Sequence, residues 1–144
     1  MFRKRDEVEF FLVHPGGPYW FNKDEGAWSI PKGEFTAEEE ALAAALREFE
    51  EETGMAVEGD FIELEPIKQK AGKVVFAWAV EGTINADSIK SNTYKMEWPY
   101  KSGNWKTFPE VDKASWFSYE EAVIKINPAQ AAFIEELQTL LNPS

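Results

Sequence analysis

Between Thr36 and Gly54 the chain carries seven glutamates in a stretch patterned as one α-helix. Thr36 is placed to cap the helix, and Glu39 follows three positions later as in a capping box. Glu38, Glu39 and Glu40 favour the positive end of the helix dipole, and Gly54 is suited to close the helix in a left-handed conformation. Leu42, Ala45, Leu46 and Phe49 recur at helical spacing and predict a core-facing stripe. Glu48, Glu51 and Glu52, at i, i+3 and i+4, fall together on another face, expected to look into a cleft. Carboxylates that close repel one another, so a cation is expected among them.

The remaining sequence limits what that cation serves. At 144 residues, 44% hydrophobic and 15% aromatic, the chain is sized for one domain over 1–144 with a substantial core. It has no cysteine, which excludes thiolate chemistry and Cys-based metal sites and favours a cytoplasmic location. No apolar run is long enough for a membrane span, and the opening residues lack the pattern of a signal peptide. A net charge of -11 argues against binding to a nucleic acid backbone, which needs a basic footprint. A polyanionic ligand would be met through metal ions. His14 is the single histidine, so a multi-histidine metal cage is excluded, and beside Pro15-Gly16-Gly17-Pro18 it is read as a strand-end or loop residue.

Along the chain, Val8–Val13 reads as a buried strand closed by that turn cluster, and Trp28–Ile30 as a short extended piece. Residues 61–67 and 73–80 predict an antiparallel hairpin, and residues 81–92 a connection. Thr93–Trp98 is expected as a strand, Pro99–Pro109 as an aromatic and basic loop, and Ala114–Phe117 as a further strand. Ser118 with Glu121 predicts a second helix start. Pro128 begins a third helical pattern whose buried face is Phe133, Leu137, Leu140 and Leu141.

Gly33, Glu39 and the run Arg47-Glu48-Phe49-Glu50-Glu51-Glu52-Thr53-Gly54-Met55 stand at the spacings of the Nudix box, and the chain resembles the Nudix hydrolases. The resemblance implies an α/β fold, an α/β/α sandwich with a mixed β-sheet, and hydrolysis of a nucleoside diphosphate linked to another moiety X. It also implies dependence on Mg²⁺ or Mn²⁺. Carried over position by position, Glu48, Glu51 and Glu52 are the metal ligands, the main-chain carbonyl near Lys32-Gly33 is a further oxygen donor, and Arg47 orients a carboxylate. Glu110, in the loop before Trp116, resembles the additional metal-binding glutamate found after the box in some members; Glu97 is its competitor. The general base stays open among Glu48, Glu51, Glu52 and a loop glutamate.

Such chemistry is intelligible physically. Hard oxygen ligands suit Mg²⁺ or Mn²⁺, which neutralises diphosphate oxygens and lowers the pKa of a bound water, and a carboxylate takes the water's proton. The entry Trp28-Ser29-Ile30-Pro31-Lys32-Gly33 is similar to that of dinucleoside polyphosphate hydrolases of the diadenosine tetraphosphate type, with Lys32 on a phosphate. A nucleoside polyphosphate stands beside that substrate class, and ADP-ribose, a nucleotide sugar, or binding without turnover are the other readings. Substrate selection is expected between 94 and 110, where Tyr94, Trp98, Tyr100, Trp105 and Phe108 accompany Lys95, Lys101 and Lys106. Of these, Trp98, Tyr100 and Trp105 are the candidate contacts to a small-molecule nucleotide.

Overall fold

The computed structural model describes residues 1–31, 40–68, 72 and 74–142. Its architecture is organised by strand β2 (Val8–Pro15), which pairs antiparallel with β1 (Phe2–Lys4) on one side and β9 (Val111–Ser118) on the other. Consecutive side chains of β2 point to opposite faces, and both faces are apolar. Phe10 and Leu12 enter a cluster with Ala122, Ile126, Phe133, Ile134 and Leu137. Phe11 and Val13 enter a second cluster with Phe49 and Val111.

Those two clusters define the layers. Helix α1 (Ala41–Thr53) supplies Phe49 to one face, whereas α2 (Tyr119–Lys125) and α3 (Ala131–Leu141) cover the other. The sheet carries a parallel bridge between Phe2 and Glu81 beside its antiparallel pairs, giving the mixed sheet of an α/β/α sandwich. No helix among the described residues is long and apolar enough to cross a membrane.

The expected hairpin over 61–80 forms in two pieces. β3 (Phe61–Glu63) pairs with β6 (Trp78–Val80), and β4 (Ile67–Lys68) pairs with β5 (Val74–Val75). The expected strand at 93–98 is β7 (Thr93–Glu97), but the segment after it is not a loop throughout. β8 (Trp105–Pro109) returns antiparallel along β7, because Thr107, Phe108 and Trp105 suit an extended pairing as well as an irregular one. Trp28–Ile30 forms only isolated bridges, from Ser29 to Val13 and from Trp28 to Ile126.

Helix α1 starts later than its capping pattern predicts. Glu40 is extended, with φ -70° and ψ 142°, and makes no side-chain cap; the proposed cap Thr36 and its partner Glu39 lie outside the described residues. Of the predicted stripe only Phe49 is buried, and the other buried residues of α1 are Ala44, Glu48 and Thr53. Leu42, Ala45 and Leu46 are half-buried because they border an apolar cavity of about 540 Å³ against β5 and β6. On the opposite layer, Ser118 accepts from the Glu121 amide as predicted, while Leu140 is exposed.

Candidate active site at the acidic end of the first helix

Glu48, Glu51 and Glu52 lie on the last two turns of α1, which is anchored through Phe49. Phe49 is buried and its ring centroid lies 6.0 Å from that of Phe11, so the helix end is held against β2. One residue back in the chain, Glu48 is carried inward and keeps only 8% of its surface. Burial raises its pKa; the like charges of Glu51 and Glu110 raise it further, and Arg47 opposes them.

Arg47 places its guanidinium among these carboxylates. Its Nη1 lies 2.8 Å from Glu48 Oε1, and 3.0 and 3.1 Å from the two oxygens of Glu51. With side chains so placed, no group of three metal-ligating side chains is gathered around a common point among the described residues. The donor set nevertheless fits a hard divalent cation: it offers only carboxylate oxygens, and Arg47 only partly offsets the burial and like charges that act on Glu48.

Glu110 belongs to this place for a backbone reason. Gly54 ends the helix at φ 76°, its N–H donating to the Glu50 carbonyl at 2.7 Å. The chain at Lys90–Asn92 then straps the helix end: Lys90 N–H donates to Thr53 O at 2.8 Å and Asn92 N–H to Glu51 O at 2.7 Å. Glu110 N–H in turn donates to Asn92 O at 2.8 Å, and Gly16 N–H to Glu110 O at 3.0 Å. Three segments distant in sequence are thereby fixed around one helix terminus.

Glu97 is excluded from that cluster by its own bonds. Its two carboxylate oxygens accept the N–H groups of Lys101 and Gly103, at 2.9 and 3.2 Å, and so order the turn at the far end of the β7–β8 hairpin. His14 is fully buried, with Nε2 donating to the Lys23 carbonyl at 2.7 Å and Nδ1 2.8 Å from Asp112 Oδ1. Its role is to tie the loop after β2 to β9. Trp28 packs edge-on against Phe117 at 5.0 Å and donates to Asp24 at 2.8 Å, so it is a core residue. Lys32 and Gly33 lie outside the described residues.

Hairpin register sorts the aromatic candidates. Opposed pairs in β7–β8 run from Thr93 with Pro109 to Glu97 with Trp105. Tyr94, Met96 and Trp98 therefore share a face with Phe108 and Lys106, and Lys95 shares the other with Trp105. Loop residues after β2 cover the first face: Tyr94 Oη donates to Gly16 O at 3.0 Å, and Tyr19 packs edge-on to Trp98 at 5.3 Å. Burial raises the Tyr94 pKa, which keeps the phenol a donor. Sequence reasoning missed Tyr19 as the cover of Trp98; its signal was a run of three aromatics directly after a turn cluster.

An acidic helix end braced by a mixed sheet between helical layers defines a domain of the Nudix type. A model of the NUDIX domain matches residues 1–137, and the chain belongs to that family. Among curated proteins it is 30% identical over 132 residues to a putative mRNA-decapping protein of Acanthamoeba polyphaga mimivirus, covering 84% of this chain and 31% of that protein. It is 32% identical over 114 residues to the mRNA-decapping protein g5R of African swine fever virus, covering 76% of this chain and 44% of the relative. The chain thus spans less than half the length of these relatives. The crystal structure of a C. elegans Ap4A hydrolase binary complex superposes with a TM-score of 0.64 at 21% identity, covering 97% of this chain and 92% of that one.

Proposed function

We propose that this chain, acting as one domain, hydrolyses a phosphoanhydride bond in a nucleoside diphosphate linked to a second nucleoside-bearing moiety. The observation that carries the reading is that the charges of Glu51 and Glu110 both bear on the buried Glu48 at the strapped end of α1. Glu48, Glu51 and Glu52 would hold Mg²⁺ or Mn²⁺, with Glu110 and the carbonyl near Gly33 as further oxygen donors. When bound, the metal neutralises phosphate oxygens and acidifies a water for in-line attack. Arg47 holds Glu48 and Glu51 in place, and a carboxylate of the set accepts the water's proton. Lys32, Trp98, Tyr100 and Trp105 are assigned to the substrate. The lack of cysteine suits a cytoplasmic setting.

Diadenosine polyphosphates are the first substrate class to test. Capped RNA shares their chemistry, two nucleosides joined through a polyphosphate, and the relatives named for decapping support it as the second class to test. Purified protein with Mg²⁺ or Mn²⁺ is assayed against both, and against nucleoside triphosphates, ADP-ribose and nucleotide sugars. Glu51→Gln and Glu52→Gln should each lower kcat by about a hundredfold or more while the circular dichroism spectrum is unchanged. Absence of turnover on every substrate would instead support a nucleotide sensor, and full activity of both variants would refute the metal assignment.

A further inference from the structure

Five large aromatic side chains stand in solvent on two adjoining segments: Tyr19 at 54%, Phe21 at 72%, Tyr100 at 75%, Trp105 at 68% and Trp20 at 37% exposure. They come from two segments, the loop after β2 and the tip of the β7–β8 hairpin, joined where Tyr19 meets Trp98. Rings left so exposed in a chain that buries Phe10, Phe11, Phe49, Phe117 and Phe133 are out of keeping with its core. Lysines accompany them: Lys101 Nζ lies 5.5 Å from the Tyr100 ring centre, and Lys23 Nζ 5.0 Å from that of Trp20.

Charge is unevenly distributed over the same segments. The loop after β2, residues 16–27, and residues 93–109 hold Lys23, Lys95, Lys101 and Lys106 against Asp24, Glu25 and Glu97, in a chain whose net charge is -11. Glu97 is committed to the N–H groups of Lys101 and Gly103, and the neighbouring Asp24 is paired with Lys125. The average charge of the chain therefore conceals an aromatic lobe that carries a slight excess of lysine. Trp105 is five residues from Glu110 along extended chain, roughly 15 Å at strand rise, so a nucleotide with phosphates among the carboxylates would need further length to reach it.

We propose that this lobe is a stacking platform for a single-stranded polynucleotide that continues outward from the substrate site. Exposed rings accept any base, and the lysines beside them meet the phosphates. A protein partner fits less well, since lysine is depleted from the centres of protein interfaces. The strongly acidic remainder of the surface repels a polynucleotide and confines it to the lobe. The platform rests on the second substrate class named above, capped RNA, in which X is a polynucleotide; binding is measured apart from turnover.

The probe is a 3′-labelled, 5′-hydroxyl oligonucleotide of about twelve residues, as RNA and as DNA, titrated by fluorescence anisotropy in EDTA. It has no phosphoanhydride bond, so the result does not depend on hydrolysis. Binding of RNA or DNA is expected, weakening as salt rises from about 50 to 200 mM. Tyr100→Ala and Trp105→Ala should each weaken it by about tenfold, and Lys101→Gln with Lys106→Gln should flatten the salt dependence. Binding of RNA alone identifies the sugar that the lobe prefers; binding of neither overturns the proposal. Equal affinity in the ring variants and an unchanged salt slope in the lysine variant would overturn it too.

Discussion

Arg47 and Glu48 show how a helix end tolerates several neighbouring acids. Glu48 is nearly buried and flanked by the negative charges of Glu51 and Glu110, and the Arg47 guanidinium offsets them from 2.8 Å. Arg47→Ala should destabilise the metal-free protein by about 1 kcal/mol in urea unfolding, a modest figure because the guanidinium is partly solvated. Mg²⁺ should recover part of that loss, and an identical Mg²⁺ response in variant and wild type would count against the account. His14→Ala, which removes a fully buried ring and both of its polar contacts, should cost about 2–4 kcal/mol by the same measurement. Asp24 has a lowered pKa, from its hydrogen bonds to Lys125 and then Trp28. A lowered carboxylate pKa contributes stability above the unfolded-state value and loses it as pH falls through the folded-state value. The difference in melting temperature between wild type and Asp24→Asn should therefore be full at neutral pH and close in acid.

The terminus of α1 matters more to the site than its start. Gly54 holds φ 76°, and a Cβ there would stand 2.6 Å from the Lys90 carbonyl oxygen, which is backbone and cannot swing aside. Gly54→Ala should cost about 1–3 kcal/mol and displace the Lys90–Asn92 strap. Because Asn92 bonds both Glu51 and Glu110 through main chain, kcat should fall along with stability; unaltered kcat would show that the strap does not position Glu110. The hairpin β7–β8 divides its labour by face. Tyr94 and Trp98 are engaged by the loop after β2, while Trp105 and Tyr100 remain free to meet solvent.

Across the molecule, β2 holds the two helical layers together because both of its faces are apolar, and charge is divided between an acidic helix end and a basic hairpin tip. Divalent metal that binds only the folded state raises its stability by about 2.7 kcal/mol at a hundredfold excess over Kd. Thermal unfolding should accordingly shift upward with Mg²⁺ or Mn²⁺, and the shift should shrink in Glu51→Gln. Equal shifts in wild type and Glu51→Gln would move the metal away from this helix.

Much of this was legible from local pattern. Periodicity and capping residues located β2, β7, β9, α2 and the C-terminal end of α1, since the signals for those elements lie within a few residues of one another. The spacing of Glu48, Glu51 and Glu52 likewise placed three carboxylates on one helical turn, a consequence of helix geometry alone. Which other residues join them is a matter of long-range hydrogen bonding. Glu110 and Glu97 look alike in sequence; main-chain bonds through Asn92 bring one to the helix end, and a turn binds the other. The fates of Trp28, Trp98 and Trp105, core, covered face and open face, depend in the same way on what each meets across the fold. Composition and periodicity set the elements and the chemistry of the acidic helix; strand register and the strap over its end determined which side chains share the site.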